Sequence, residues 1–308
     1  MASNIHIGPA GWSYPDWNGA VYPLKQDKGF DALAYIAFYF NLIEINSTFY
    51  RMPAAETVRR WTRRVSGNPD FLFTVKLHRS FTHGQDQPSD RELDVFKRAL
   101  EPAHSSGRLG SVLLQFPWSF RYNRDSRHRI GRLVAGLAPL PAAVEVRHGS
   151  WAKPEAVNCI ADTGAMLCGI DQPLIGDSLS PRTFLTQPGG AYFRLHGRNA
   201  ASWFGPDTSR DERYNYLYSP QELTAWTARA AEAAGQAGRV YVVMNNHFMG
   251  QAVANALELK HQLLQERVPV PAPLVRKYPR LRTIATGQND PPPGSSKDRI
   301  QGNLFEDD

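Results

Sequence analysis

Eight short strand-like runs alternate with amphipathic helical stretches, and this alternation limits the fold more than any other feature of the chain. The runs lie at residues 5–11, 42–46, 71–77, 111–116, 143–147, 165–170, 191–195 and 240–245. A (β/α)8 barrel consists of eight strands, each followed by a helix, so the number of runs matches this fold. A doubly wound open sheet is the alternative, but no Gly-rich phosphate-binding turn follows the first strand. The sequence therefore predicts an α/β fold of the (β/α)8, or TIM-barrel, class.

The alternation stops near residue 268. A Pro-Val-Pro-Ala-Pro run at 269–273 is followed by a basic stretch and then by residues rich in Pro, Gly, Ser and Asp. Such composition does not bury a core. We expect one barrel domain at residues 1–267 and a Pro-rich, disordered tail at residues 268–308.

Composition indicates a globular protein in a reducing compartment. Hydrophobic residues make up 42% of the chain and charged residues 21%, and no apolar run is long enough to cross a bilayer. Two cysteines are too few for a disulfide framework, and the first strand begins without a signal-like apolar segment. We therefore expect a cytoplasmic protein. The net charge of +6 permits an anionic partner without requiring one.

Four of the strand-like runs carry charged residues where a buried strand is normally apolar. Residues two apart share one face of a strand, and in these runs that face is polar. A TIM barrel places catalytic groups at the carboxyl ends of its strands. We expect one shared space to hold the side chains of Glu44, Lys76, Glu145, Arg147, Arg194 and His196.

The two inward carboxylates, Glu44 and Glu145, suggest general acid–base chemistry if their environments separate their pKa values. Alternatively, Glu44 pairs with Lys76, and Glu145 pairs with Arg147 or Arg194, so that the charges only neutralise one another. The sequence leaves both interpretations open. We assign catalytic roles to Glu44, Glu145, Lys76 and His196.

An inward lysine on a barrel strand can also form a Schiff base with a carbonyl substrate. For Lys76 we expect the nearby carboxylates to keep the ammonium charged, which disfavours this chemistry. A divalent metal has candidate ligands in Glu44, Glu145, Asp171, His196 and His247. The interleaved cations would repel it, so we predict no cofactor and disfavour a metal.

Loops after the seventh and eighth runs predict an anion site. Barrels often bind phosphate at these two loops, where a helix begins. His196-Gly197-Arg198 follows one run, and Asn245 to Gly250 leads from the other into a helix. We assign anion or substrate binding to Arg147, Arg194, Arg198, Asn46, Asn245, Asn246 and His247.

Aromatic residues are frequent after the strand-like runs. Aromatic faces beside arginine suit the stacking of bases, sugars or other flat rings. Some of these rings must instead pack the loops onto the barrel. We assign ring binding to Trp12, Tyr50 and Trp151.

Seven motifs resemble one known family, the YecE-like domain-of-unknown-function family, number seventy-two. They begin at Gly11-Trp12-Ser13-Tyr14, Glu44-Ile45-Asn46-Ser47, Phe73-Thr74-Val75-Lys76, Gln115-Phe116-Pro117, Glu145-Val146-Arg147-His148, Arg194-Leu195-His196-Gly197 and Asn245-Asn246-His247. The resemblance runs in order from about residue 5 to 264. It implies a TIM barrel and leaves the reaction open.

The end of the tail carries a short candidate docking peptide. Residues 301–305, with Gln301, Leu304 and Phe305, resemble the Gln-x-x-Leu-Phe peptides by which bacterial replication and repair proteins dock on the sliding clamp. Leu304 and Phe305 would fill an apolar pocket while Gln301 makes polar contacts. We therefore predict the clamp as a partner, with an association to DNA repair.

Together these features predict an enzyme of the hydrolase type. Its substrate would be a phosphorylated, ring-bearing molecule, such as a nucleotide or nucleic acid, that undergoes phosphoester hydrolysis or cleavage. One alternative is a non-catalytic module that binds nucleic acid or protein and is recruited to the clamp. The other is an enzyme that acts on a carbohydrate or a small acid.

Overall fold

The structure is a computed structural model of the 308-residue chain. It describes residues 4–84, 89–186, 189–203 and 210–287. The strands are β1 Ile5–Pro9, β2 Leu42–Ile45, β3 Leu72–Lys76, β4 Leu109–Gln115, β5 Ala142–Glu145, β6 Met166–Leu167, β7 Gly169–Asp171, β8 Ala191–Leu195 and β9 Val240–Met244. They pair in parallel, in the orders β2-β3-β4-β5-β6 and β1-β9-β8-β7.

Two junctions close these sheets into one barrel. β6 and β7 are consecutive pieces of one segment, interrupted at Cys168. On the other side, Ala10 forms a parallel bridge with Glu44. The side chain of Asn41 accepts a hydrogen bond from the amide of Ile7 and donates one to the carbonyl of Ile5. With β6 and β7 counted as one strand, the barrel has eight, and the predicted (β/α)8 fold is confirmed.

Glycine is required where the first two strands meet. A Cβ atom at Gly8 would collide with the carbonyl oxygen of Leu42. Any side chain there would push β1 away from β2, because strands of one sheet lie only about 4.8 Å apart. The sequence thus closes the barrel with a residue that has no side chain.

The helices cover the outside of the barrel. Their bounds are α1 Ala32–Tyr39, α2 Ala55–Arg64, α3 Arg79–Thr82, α4 Asp90–Ala99, α5 Glu101–Ser105, α6 Arg124–Leu137, α7 Pro154–Ala161, α8 Ala200–Trp203, α9 Arg210–Arg213, α10 Pro220–Ala234, α11 Gln251–Leu264 and α12 Ala272–Lys277. Within the described ranges, no helix has both the length and the apolar character that a membrane span requires.

Two helix starts follow directly from the sequence. Ser89 caps α4 and Ser219 caps α10; in each case the serine side chain accepts the amide of a glutamate three residues on, and that glutamate accepts the serine amide. This reciprocal capping box satisfies two amides that have no partner inside the helix. Proline occupies the first position of α10, where no amide donor is needed.

The predicted boundary at residue 267 is wrong for the part of the tail that the structure describes. Residues 268–287 continue the fold: Val268 forms a parallel bridge with Ala285, and Arg280 pairs with Glu258 of α11. The apolar side chains that this segment buries offset the cost of ordering it. They include Val268, Val270, Leu274, Leu281 and Ile284. Residues 288–308 lie outside the described part of the chain.

Candidate active site at the mouth of the barrel

A buried polar cluster fills the upper interior of the barrel. Tyr192, Arg194 and His196 lie two residues apart along β8 and its end, so their side chains share one face. That face points inward, because Arg194 reaches Glu44 of β2 and Glu145 of β5, two strands that are not neighbours of β8. Arg194, Glu44, Glu145 and His196 are each at most 1% exposed.

Arg194 is the centre of this cluster. Its Nε and Nη2 donate to the two oxygens of Glu44 at 2.9 and 2.5 Å. Its Nη1 donates to Oε2 of Glu145. Planar guanidinium suits two-pronged pairing with carboxylates, and a buried ion needs such partners because it has lost its water. One arginine therefore bridges both predicted catalytic carboxylates.

The second oxygen of Glu145 is also occupied. Nε and Nη2 of Arg147 lie 2.9 and 2.8 Å from Oε1 of Glu145. Burial alone would raise the pKa of Glu145, but the guanidinium groups of Arg194 and Arg147 hold it well below its usual range. Glu145 is therefore an anion at neutral pH.

A layer of hydroxyl groups lies beneath Arg194. The hydroxyl of Tyr192 lies 2.8 Å from Oε2 of Glu44 and 2.8 Å from the hydroxyl of Thr74 on β3. Burial raises the pKa of Tyr192 well above its ordinary value, and the charge of Glu44 adds to this effect. The phenol is therefore a neutral donor that fixes the orientation of Glu44.

His196 is held as a neutral imidazole. The amide nitrogen of Asn245 can only donate, and it lies 2.9 Å from Nδ1. The proton of the ring is then on Nε2, which lies 3.3 Å from Oε1 of Glu145. Burial lowers the pKa of His196 to about 3, although Glu145 opposes the shift. His196 and Asn245 thus meet at the cluster, and the roles predicted for them stay predictions.

Lys76 differs from the other cations of the cluster. It ends β3, it is partly buried, and its Nζ lies 3.8 Å from the centroid of the Phe49 ring. Among the described residues, its ammonium makes no ion pair. The alternative in which Glu44 pairs with Lys76 is not found, because Arg194 holds that carboxylate. Burial, together with the charge of Arg194, lowers the pKa of Lys76 to about 7 despite Glu145 and Glu44. The expectation that the carboxylates keep Lys76 fully charged is therefore wrong.

Aromatic rings form one wall of the mouth. Tyr14 stacks on His247 with ring centroids 4.5 Å apart, and the ring of Tyr214 lies 5.3 Å from that of His247. Tyr214 also meets Trp203 at 6.0 Å, and the guanidinium of Arg147 lies 5.7 Å from Trp203. This wall, made of Tyr14, His247, Tyr214 and Trp203, borders the charged cluster and supplies flat apolar surfaces.

Two residues predicted to bind an anion are engaged elsewhere. Nε of Arg198 donates to both oxygens of Asp171 at 3.0 Å, and its Nη1 lies 3.0 Å from Glu222. The side-chain amide of Asn246 donates to Asn255 of α11 and to a backbone carbonyl, each at 2.8 Å. These contacts anchor the loops after β8 and β9 and direct both side chains away from the cluster.

The ring-binding residues predicted from the sequence are placed mostly outside the site. Trp12 packs edge-on against Trp61 of α2. Trp151 is fully buried, and its indole donates to the carbonyl of Phe120, so it packs a loop instead of facing a ligand. Tyr50 is 56% exposed and touches Phe49. Full burial leaves Trp151 no face for a ligand, and the ring-binding roles predicted for Trp12 and Tyr50 stay predictions.

Asn46 follows β2 at the edge of the cluster. Its Oδ1 is buried and has no hydrogen-bond partner within the described residues. A buried acceptor without a partner is costly, and such groups often mark a place where a ligand or water donates. The binding role predicted for Asn46 stays a prediction.

Metal ligands are not assembled in the described part of the chain. Nowhere in it do three or more His, Cys, Asp or Glu side chains come together as a metal site. Asp171, named above as a possible ligand, accepts from Arg198 and from the indole of Trp226 at 3.2 Å. The absence of a cofactor remains a prediction.

Tyr192, Thr74 and Tyr214 were missed as members of the site. The first two could have been predicted from the sequence. Tyr192 precedes Arg194 by two residues and Thr74 precedes Lys76 by two, so the strand period places each on the inner face. Tyr214 lies in the long segment between β8 and α10. No pattern in the sequence shows that this segment folds back toward His247.

Comparison with known proteins agrees with this architecture. The family model described as "Protein of unknown function DUF72" matches residues 6–279. UPF0759 protein YunF of Bacillus subtilis is 30% identical over 268 residues, which cover 83% of this chain and 93% of that protein. UPF0759 protein YecE of Escherichia coli K12 is 31% identical over 152 residues, which cover 47% of this chain and 48% of that protein.

Solved structures give the same result. A DUF72 family protein from Thermotoga maritima superposes with a TM-score of 0.75 at 32% identity, covering 85% of this chain and 100% of the other. A DUF72 family protein from Enterococcus faecalis also gives 0.75, at 26% identity, covering 84% and 95%. The match over residues 6–279 extends beyond the boundary expected at 267, in agreement with the folded segment described above.

Proposed function

The chain belongs to the DUF72 family, and from that premise we propose that the mouth of its barrel is an enzyme active site for a small anionic substrate. The observation that carries the proposal is the placement of Lys76. Its amine lies inside the barrel at the carboxyl end of β3, and among the described residues it makes no ion pair. Active sites of TIM barrels occupy this end.

The charges of the cluster support an anionic ligand. Glu44 and Glu145 balance Arg194 and Arg147, since each carboxylate is paired with guanidinium. A proton on Lys76 then gives the site an excess of one positive charge. Nη1 of Arg147 is not used in its pairing with Glu145, and this side chain is 14% exposed. An anion at the mouth would meet donors from both Arg147 and Lys76.

The aromatic wall supports a substrate with a flat ring. Trp203 lies next to the guanidinium of Arg147, so that a ring stacked on the wall would bring its anionic substituent to the arginine. A small ligand fits better than a nucleic acid strand. Two of the rings expected to stack bases, Trp12 and Trp151, are used in packing.

Phosphoester hydrolysis by two carboxylates, as expected from the sequence, gains no support from this geometry. A general base needs a free oxygen close to the water that it activates. Both oxygens of Glu44 and both of Glu145 already accept charged hydrogen bonds. We therefore propose that the carboxylates hold Arg194 and Arg147 in position, and that Lys76 is the group which acts on the substrate.

Binding of phosphorylated ring compounds tests this proposal. We would measure affinity by calorimetry for inorganic phosphate, ribose phosphate and nucleoside monophosphates. Lys76→Met and Arg147→Gln should each weaken the best ligand by about 10- to 100-fold, because a hydrogen bond to a charged group contributes about 1.5–3 kcal/mol. Lys28→Met, at an exposed lysine in the segment before α1, is the matched control. If Lys76→Met and Arg147→Gln bind the ligand as tightly as wild type and the control do, the assignment is overturned.

The tail peptide at Gln301, Leu304 and Phe305 lies outside the described residues and stays a separate proposal. We propose that it docks on a bacterial sliding clamp, supported by its sequence alone, which would also place the protein in the cytoplasm. Surface plasmon resonance with the immobilised clamp tests it. The full chain should bind, and both Phe305→Ala and a chain ending at residue 295 should not. Binding that survives both changes would contradict the proposal.

A further inference from the structure

The backbone around Lys76 is firmly held. Thr48 Oγ1 lies 2.6 Å from the carbonyl oxygen of Lys76, and the amide of Leu77 donates to Leu113 at 2.9 Å. β3 pairs with β2 on one side and with β4 on the other. The lysine side chain therefore extends from a rigid position, with the face of Phe49 beneath its amine.

Every carboxylate close to this amine is already paired. Glu44 is held by Arg194, and Glu145 is held by Arg194 and Arg147. The same arginines supply positive charge close to Lys76. The arrangement thus leaves Lys76 without an ion-pair partner among the described residues, with the guanidinium groups of Arg194 and Arg147 nearby.

This environment produces a free amine at neutral pH. Burial and Arg194 bring the pKa of Lys76 to about 7. About half of the molecules then carry an unprotonated amine at pH 7, compared with fewer than about 1 in 1,000 for a lysine with the ordinary pKa of about 10.4. An unprotonated amine beside cations is the form in which lysine acts as a nucleophile.

We propose that Lys76 forms an imine with the aldehyde or ketone group of an anionic substrate bound at the barrel mouth. This inference rests on the proposed function and names its substrate class. Nζ attacks the carbonyl carbon, and the carbonyl oxygen becomes a hydroxyl group. One N–H proton of the neutral amine passes to this oxygen, and the hydroxyl then leaves with the second N–H proton as water when the C=N bond forms. The exchange is reversible and consumes neither an oxidant nor a reductant.

Other lysines of the fold do not share these features. Lys260 of α11 is also shielded from water, and burial lowers its pKa. Its Nζ, however, donates to the carbonyl of Tyr39 at 2.7 Å on the outer side of the barrel. Lys97 is similarly tied to the carbonyls of Gly136 and Ala138 at 3.1 Å. Of these three lysines, Lys76 is the one at the carboxyl end of a barrel strand.

Pyridoxal phosphate is a suitable probe because it combines an aldehyde, a flat ring and a phosphate. The full chain would be incubated with it at neutral pH, reduced with sodium borohydride, which converts C=N to a stable secondary amine, and digested for mass spectrometry. We expect at least about tenfold more adduct on Lys76 than on the exposed Lys28, since the free-amine fractions differ by a far larger factor. Lys76→Arg and Lys76→Met should each remove this adduct, and Lys28→Arg should not.

The result can be separated from that of the proposed function by a second probe, pyridoxine phosphate, which has the ring and the phosphate but no aldehyde. If it binds to wild type and to Lys76→Arg while no adduct forms on Lys76, the imine proposal is overturned and the anion site stands. If neither probe binds, both fail. If pyridoxine phosphate binds and pyridoxal phosphate forms the adduct on Lys76, both proposals stand. Circular dichroism confirms that each variant is folded, and the two replacements of Lys76 guard against a loss caused by one of them.

Discussion

Arg194 of β8 and Glu44 of β2 form a two-pronged ion pair across the interior of the barrel, with Nη2 and Oε1 2.5 Å apart. A salt bridge between strands that are not neighbours ties opposite walls together. It also orders the site, because the same guanidinium fixes Glu145. The packing of the barrel interior and the arrangement of the candidate site therefore both depend on the side chain of Arg194.

Arg194→Met should destabilise the fold strongly. The change leaves Glu44 without its ion-pair partner and Glu145 with Arg147 alone, and breaking a buried pair costs about 3–5 kcal/mol. Urea denaturation followed by circular dichroism would measure the loss. Arg59→Gln is the control: Arg59 pairs with Glu56 on the surface of α2, with its side chain 53% exposed, and its loss should leave the midpoint unchanged. A midpoint for Arg194→Met equal to that of wild type would contradict the assigned role.

Lys76 should titrate near neutral pH. With lysine carrying carbon-13 at Cε, its resonance should shift with a midpoint close to pH 7, because burial and Arg194 lower its pKa to that value. Lys76→Arg identifies the signal by removing it. Arg147→Gln removes a nearby positive charge that lowers the pKa, so the midpoint should move upward. A midpoint above 10 in wild type would show that the amine is solvated.

Acid should weaken the fold through His196. Its pKa is about 3 in the folded chain, because of burial, and returns to about 6.5 on unfolding. Between these values the unfolded chain binds a proton that the folded chain does not, so the free energy of unfolding rises with pH across this window and falls on acidification. Urea midpoints from pH 4 to 7 would give the slope. We expect a smaller slope for His196→Gln and an unchanged one for His128→Gln, at an exposed histidine of α6.

The segment after α11 should contribute to stability. A chain that ends at residue 267 loses several fully buried aliphatic side chains, each of which contributes about 1.5–3 kcal/mol. We expect it to lose at least about 3 kcal/mol of unfolding free energy. A chain that ends at residue 287 keeps Leu274, Leu281 and the Arg280–Glu258 pair, and should match the full chain. Equal midpoints for both truncated chains would show that residues 268–287 add nothing.

The fold and the inner row of charges could be predicted from sequence because both depend on periodicity. A strand repeats every two residues, and a charge in a strand otherwise apolar must face a place where it can be paired. Glu44, Lys76, Glu145, Arg147, Arg194 and His196 were identified in this way, and the structure brings them together. Composition failed for residues 268–287, where prolines start a short helix and a 3-10 turn that pack on α11.

The pairing within the cluster could not be predicted. Which carboxylate meets which cation depends on side-chain length and on the distance across the barrel, and neither is visible in a linear pattern. Glu44 pairs with Arg194 and not with Lys76, because the guanidinium group reaches farther and binds both oxygens of a carboxylate. Because Arg194 occupies Glu44, the amine of Lys76 has no ion pair among the described residues, and this changes the chemistry expected of the site.

The Arg194 bridge also bears on how the chain is made. Glu44 and Glu145 are synthesised 150 and 49 residues before the arginine that neutralises them. A nascent fragment that ends between Glu145 and β8 contains both carboxylates and lacks the guanidinium. The charges of the interior are therefore balanced only once β8 has been synthesised.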